Sequence, residues 1–238
     1  VRSVKEVLHA GPCGRCRVVR DNGESIQADR LVVTVPLNLL RDGDISFKPP
    51  LTLDKQEAAN IVVQSNCVKV ILRLTKRFWP DDCWDIVCSD SFLPELWLTP
   101  AAQVLKGTPM KEYYMVGFVG GERATRIMNL SHAEIARKMC LQLDAIFGST
   151  LDPHPASKAC AGFLVQDWSK EPFAKGAYSH PSLGAYGKRD ALSTPMGNVF
   201  FAGEATQEGL NPCVQGAMET GVRAAHQIHD SFKPKSKL

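Results

Sequence analysis

Val199–Ala225 decides the reading of this chain: Val-Phe-Phe-Ala-Gly-Glu-Ala-Thr at 199–206, Asn-Pro-Cys-Val-Gln-Gly-Ala at 211–217, and a run of small residues to Ala225. The apolar start predicts a buried strand that stops in a glycine turn at Gly203. A polar loop then leads into a helix. Asn211 is a good N-cap, and Pro212 suits the first helical position, where no backbone donor is needed. The open N–H groups of Cys213, Val214 and Gln215, with the positive end of the helix dipole, would favour an electron-rich oxygen. Ala217, Gly221, Ala224 and Ala225 fall on one face, which predicts close approach to another backbone.

The chain has 238 residues, 44% hydrophobic and 22% charged, a balance that suits one large or two modest globular domains. No apolar run is long enough to span a membrane. A net charge of +3, with basic residues scattered rather than gathered, argues against nucleic acid as a partner. The eight cysteines are irregularly spaced. Cys67, Cys88, Cys140 and Cys160 read as small core residues of a reduced compartment. Cys13-Gly-Arg-Cys16 lacks the second ligand pair a zinc site needs, so we expect no metal there but a hairpin tip with two exposed thiols. The sequence opens on Val1 in a strand-like run, as if inside a domain. It closes on Ser236-Lys237-Leu238 behind a basic tail, a tripeptide read by the peroxisomal import receptor.

Strands are expected at Val1–Leu8, Cys16–Arg20, Ser25–Arg30 and Leu31–Val35, with a turn at Asp21-Asn22-Gly23. Pro49-Pro50 marks a boundary, and Thr52–Val62 reads as a helix. Val68, Val70, Leu72 and Leu74 alternate with Lys69, Ile71 and Arg73, the pattern of a strand with one core face. A second strand covers Tyr113–Val119. Ser131-His132-Ala133-Glu134 is a capping box opening a helix to Phe147, and Cys160–Gln166 is a further strand. Ser169–Pro195 reads as a long functional loop. The expected parts are 1–47 and 166–230 together, an inserted domain at 48–165, and a flexible tail at 231–238.

Several segments, in order, resemble the flavin-containing amine oxidases: Leu31-Val32-Val33-Thr34-Val35-Pro36-Leu37, Phe47-Lys48-Pro49-Pro50-Leu51, Val68-Lys69-Val70, Arg77-Phe78-Trp79, Pro172-Phe173-Ala174-Lys175-Gly176-Ala177-Tyr178-Ser179 and Phe201-Ala202-Gly203-Glu204-Ala205-Thr206. Within that family they look most like the polyamine oxidases. The resemblance implies an α/β fold: an incomplete Rossmann-like FAD-binding domain with an inserted mixed-sheet substrate domain. It places Lys69 at the active-site lysine. Val4, Gly203 and Glu204 match cofactor-binding positions, with Glu204 expected to accept hydrogen bonds from sugar or ribityl hydroxyls. Cys213 and Val214 match residues whose backbone amides meet the flavin ring. Tyr178 matches an aromatic wall of the substrate pocket, and Trp168 is expected beside it.

The resemblance also has departures. The family's G-x-G-x-x-G fingerprint, which grips the FAD pyrophosphate, is missing, and Gly11-Pro12-Cys13-Gly14 does not fit it. We therefore expect the C-terminal half of a longer oxidase. Ala177 stands where monoamine oxidases join a cysteine to the flavin, which implies noncovalent FAD. Cys213 stands where those enzymes have a second pocket tyrosine, a further candidate contact for substrate. The implied reaction is oxidation of a polyamine C–N bond by O2, yielding hydrogen peroxide. The alternatives are a lysine-specific histone demethylase, a truncated fragment unable to hold FAD, and a flavin desaturase or protoporphyrinogen-type oxidase.

Overall fold

The computed structural model describes residues 4–9, 14–98, 112–209 and 213–233. It divides into two compact units, 1–65 with 170–238, and 66–169. The division therefore falls after residue 65 and not at 47. The helix Leu53–Ile61, capped by the Thr52 side chain, stays with the first unit because its Lys55 is buried there. The Lys55 ammonium donates to the carbonyls of Ala191, Leu192 and Thr194 at 2.7, 2.8 and 2.9 Å, closing the end of the helix Lys188–Ser193.

The first unit holds a four-stranded sheet in the order Ser25–Ala28, Cys16–Arg20, Val4–His9, Ser46–Lys48. Two smaller pairs accompany it: Leu31–Val33 runs parallel to Val199–Phe201, and Val62–Gln64 runs antiparallel to Ser179–Pro181. The 169–195 segment is thus only partly loop, since it carries both the strand Ser179–Pro181 and the helix Lys188–Ser193. Polar residues at 179–195 obscure these elements in the sequence; cross-strand pairing and the Lys55 cap supply what hydrophobic periodicity does not. Cys16 is buried, its thiol against the Asn198 carbonyl at 3.6 Å, rather than exposed at a hairpin tip. Burial pushes that thiol upward in pKa, so it is an inert core group. Its CxxC partner Cys13 lies outside the described residues.

The second unit is a five-stranded sheet in the order Cys160–Asp167, Cys67–Leu74, Tyr113–Gly120, Glu95–Leu98, Asp85–Val87. All four pairings are antiparallel, where a mixed sheet was expected. An antiparallel sheet can bury one face and leave the other without helices, and among the described residues the helices of this unit pack on the face of Val68, Val70, Leu72 and Leu74. Val68, Val70, Leu72 and Leu74 are all fully buried, packed with Met115, Ile135, Met139 and Leu143. The last three lie on the helix His132–Phe147, which has the expected capping box. Ser131 N–H donates to Glu134 Oε2 at 2.9 Å, and Glu134 N–H donates to Ser131 Oγ at 3.3 Å. Among the described residues no helix is long and apolar enough to cross a membrane.

Candidate active site

In the first unit, the parallel strands Leu31–Val33 and Val199–Phe201 stop at the same level, Val33 opposite Phe201. The chain beyond them, Thr34-Val35-Pro36 on one side and Ala202-Gly203-Glu204 on the other, lines a cavity of about 270 Å³. The carboxyl ends of adjacent parallel strands are where α/β folds commonly bind ligands. Gly203 has φ 127°, a conformation that side-chain-bearing residues rarely adopt, and so the turn needs glycine. A second cavity of about 490 Å³ is lined by Val4, Lys5, Asp44 and Phe173, and it shares Val35 and Pro36 with the first. The two cavities adjoin at Val35 and Pro36.

Glu204 lies in a 3-10 turn at the edge of the first cavity. Its carboxylate accepts from Ser179 Oγ at 2.7 Å and, at 3.3 Å to each oxygen, from Ser179 N–H. Its backbone carbonyl accepts from Arg189 at 3.0 Å. A carboxylate has about four acceptor sites, so Glu204 keeps capacity toward the cavity. The helix Val214–Ser231 secures the same turn. Thr220 Oγ1 accepts from Gly203 N–H at 2.9 Å, and Arg223 donates to the carbonyls of Phe201 and Thr206 at 2.6 and 2.9 Å.

That helix differs from its expected form. Its N-cap is Cys213 and its first residue Val214; Asn211 and Pro212 lie outside the described residues. The packed face is Gly216, Thr220 and Ala224, while Gly221 has open space around it and Ala225 is exposed. Hydrogen bonding explains the rotation: Thr220 and Arg223 must face the polar strand ends, which keeps Gly216 and Ala224 on the packed side and turns Gly221 and Ala225 away from it. Cys213 and Val214 are exposed and do not line either cavity; Ala217 is the helix residue that lines the first.

A clasp absent from the sequence reading holds the 174–178 segment. Gln64 and Asn38 are buried polar side chains. Gln64 Oε1 accepts from Asn38 N–H at 2.9 Å, and Gln64 Nε2 donates to the carbonyls of Ala177 and Ala174 at 2.9 and 3.2 Å. Asn38 Nδ2 donates to the carbonyls of Lys175 and Gln64 at 2.6 and 3.1 Å. Ala177 N–H donates to the Ser65 carbonyl at 2.8 Å. At Gly176 a Cβ would stand 2.9 Å from the Ser65 carbonyl oxygen, so the clasp also requires glycine there. Ala177 is thereby placed on the first cavity, and the half-exposed Tyr178 follows it. The signal in the sequence was a lone amide within each of two apolar runs, Leu37–Leu40 and Ile61–Gln64.

In the second unit, Lys69 lies on the face of the sheet opposite its helices, with Phe118 and Gln166 directly across on the neighbouring strands. Its Nζ sits 5.0 Å from the centre of the Trp97 ring, and Trp97 stacks on Phe118 with 5.4 Å between centres. Trp168 belongs to this second unit, in a 3-10 turn, whereas Tyr178 belongs to the first. Among the described residues no group of acidic, histidine and cysteine side chains could hold a metal ion.

The flavin containing amine oxidoreductase family model matches residues 1–229. Lysine-specific histone demethylase 1 homolog 3 of Arabidopsis thaliana is 33% identical over 92% of this chain and 13% of its own length. Polyamine oxidase 2 of the same plant is 32% identical over 88% of this chain and 40% of its own. The human peroxisomal N(1)-acetyl-spermine/spermidine oxidase is 27% identical over 98% and 49%. In fold, a wild-type putrescine oxidase bound to putrescine superposes with a TM-score of 0.77 at 22% identity, covering 96% of this chain and 48% of that one. Cyclohexylamine oxidase from Brevibacterium oxydans gives 0.79 at 21% identity, covering 98% and 49%. The chain thus spans half or less of each of these relatives. With its paired strand ends, its Gly203-Glu204 turn and a family match along nearly its whole length, this chain belongs to the flavin-containing amine oxidoreductases.

Proposed function

We propose that the protein carrying this chain is a polyamine oxidase that holds FAD noncovalently. The observation that carries the cofactor is the pair of cavities in the first unit that adjoin at Val35 and Pro36 beside the Gly203-Glu204 turn. Its residues fit a flavin dinucleotide: Glu204 can accept from hydroxyls, Gly203 lets a ligand approach the backbone, and Val4, Val35 and Pro36 offer apolar walls. Ala177 on the cavity has no nucleophile, which supports noncovalent binding. The chain contributes no phosphate-binding glycine loop, so that grip must come from outside these residues.

The chemistry a bound flavin would supply is two-electron oxidation of the C–N bond of an amine to an imine, which water hydrolyses to aldehyde and a shorter amine, with O2 reduced to hydrogen peroxide. The chain's own residues position and shelter. Tyr178 supplies an aromatic wall, Trp168 and Cys213 are further substrate contacts, and the amides of Cys213 and Val214 direct a helix dipole at developing negative charge. Lys69 holds a water by its ammonium. The purified full-length protein is expected to absorb near 450 nm and to release peroxide with spermine or spermidine; a colourless protein inert to both would refute this reading. Lys69→Met is expected to slow flavin reduction or reoxidation at least about tenfold with the unfolding midpoint unchanged. Unaltered stopped-flow rates in both half-reactions would remove Lys69 from the site.

A histone demethylase is the second reading, favoured by the 33% identical plant relative. Peroxide release from a dimethyl-lysine histone peptide but not from polyamines would select it. Ser236-Lys237-Leu238 lies outside the described residues and supports a peroxisomal location through the import receptor. Deleting it from a tagged protein is expected to leave the signal cytosolic, and persistent peroxisomal signal would overturn the address.

A further inference from the structure

We infer that Lys55, Arg189 and Arg223 form a positive wall behind the first cavity that stabilises negative charge on the bound flavin, making them determinants of its reduction potential. The inference rests on the FAD reading for its ligand and on the first unit for its geometry. Each cation stands one residue behind the cavity lining. The Lys55 ammonium lies 4.0 Å from the centre of the Phe201 ring. Arg189 donates to the Glu204 carbonyl at 3.0 Å and to the Ser179 carbonyl at 3.3 Å. Arg223 donates to the Phe201 and Thr206 carbonyls and, at 3.0 Å, to Thr206 Oγ1. Phe201, Glu204 and Thr206 all line the first cavity.

The fold leaves these charges without counterions. Lys55 and Arg189 are buried, and burying a charge without an opposite partner is costly. Among the described residues every hydrogen bond from the three side chains goes to a carbonyl or a hydroxyl, and none to a carboxylate. Arg223 Nε is buried and meets no acceptor. Burial and the Arg223 charge lower the Lys55 pKa, so the two cations act on each other through the wall. The exposed Asp190 offsets this at Arg223 only from solvent. Among the described residues Glu204 is the only carboxylate lining the first cavity, and it is already engaged by Ser179. Three positive charges therefore stand behind a lining that carries one negative charge. A flavin that takes up two electrons and one proton gains a negative charge, and a charge of that sign is what such a wall favours.

The test is the midpoint potential of the flavin in the full-length protein, read by dithionite titration against a reference dye. It is made at pH 7, where Lys55, with its pKa of about 8, is protonated. A unit charge about 10 Å from another shifts an equilibrium about tenfold at the effective dielectric of a protein. Lys55→Met is therefore expected to weaken the preference for reduced over oxidised flavin about tenfold, a fall of about 30 mV for two electrons. Arg223→Gln is expected to lower the potential by a similar amount. Arg223→Lys keeps the charge and is expected to stay within about twofold of the wild-type preference. Unmoved potentials in Lys55→Met and Arg223→Gln, or equal falls in the two Arg223 variants, would overturn the wall. Lost packing alone would move unfolding midpoints but not the potential, and the Arg223 pair carries the test if Lys55→Met does not fold. Amine turnover does not enter the readout. Flavin bound with an unmoved potential overturns this inference alone, whereas full-length protein that binds no flavin overturns the FAD reading and the wall with it.

Discussion

Gln64→Leu is expected to destabilise the first unit by about 3–5 kcal/mol and to release the segment 174–178. Leucine has a similar size, so the loss is of hydrogen bonding rather than volume. Three partners are left without Gln64: the Asn38 N–H and the carbonyls of Ala174 and Ala177. Each buried group without a partner costs about 1–3 kcal/mol, more than the bond itself contributes when both partners are present. Urea unfolding would measure the cost, and hydrogen exchange at 174–178 would measure the release. A variant within about 0.5 kcal/mol of wild type, or one with unchanged protection there, would show that the clasp is not needed to hold the segment. Asn38→Ala removes donors from the same network, so the two changes should not add.

Lys55 is expected to make the fold more stable as pH rises from about 8 toward 10.5. Burial and the nearby Arg223 lower its pKa from 10.5 to about 8. Below pH 8 both folded and unfolded chains hold this proton. Between about 8 and 10.5 the unfolded chain still holds it and the folded chain has lost it, so folding releases a proton and stability climbs, on the order of 3 kcal/mol across the window. Buried thiols oppose this. Burial raises the pKa of Cys16, Cys67 and Cys140, so the unfolded chain ionises them first and loses less by unfolding at high pH. The readout is therefore the difference between wild type and Lys55→Met, in urea midpoints at pH 7.5 and 10. The gap between the two proteins should widen in favour of wild type at the higher pH; a constant gap would mean that Lys55 keeps its ordinary pKa. Structurally the ammonium closes the helix Lys188–Ser193 and lies 4.0 Å from the Phe201 ring, which lines the first cavity. Deprotonation leaves two donors for three carbonyls, so the cavity wall loosens even as the fold gains stability.

Sequence alone determined those features whose cause is local. Alternation from Val68 to Leu74 specified a strand with one buried face, since side chains on a strand point alternately to its two sides. Ser131 and Glu134 specified a helix start because their mutual bonds span three residues. Gly203 marked a turn because few other residues tolerate its backbone. The ordered motifs from Leu31 to Thr206 carried the family. Tertiary structure alone decided what depends on partners distant in the chain. Register across three strands brought Glu95, Trp97 and Lys69 onto one face. Asn38 and Gln64, 26 residues apart, joined into one clasp around a segment more than 100 residues further on. The face presented by the helix Val214–Ser231 was decided the same way. Small residues predicted close packing at Gly221 and Ala225, but the carbonyls of Phe201 and Thr206 needed the Arg223 donor. Satisfying those buried acceptors turned the helix, and no spacing within it could report where they lie.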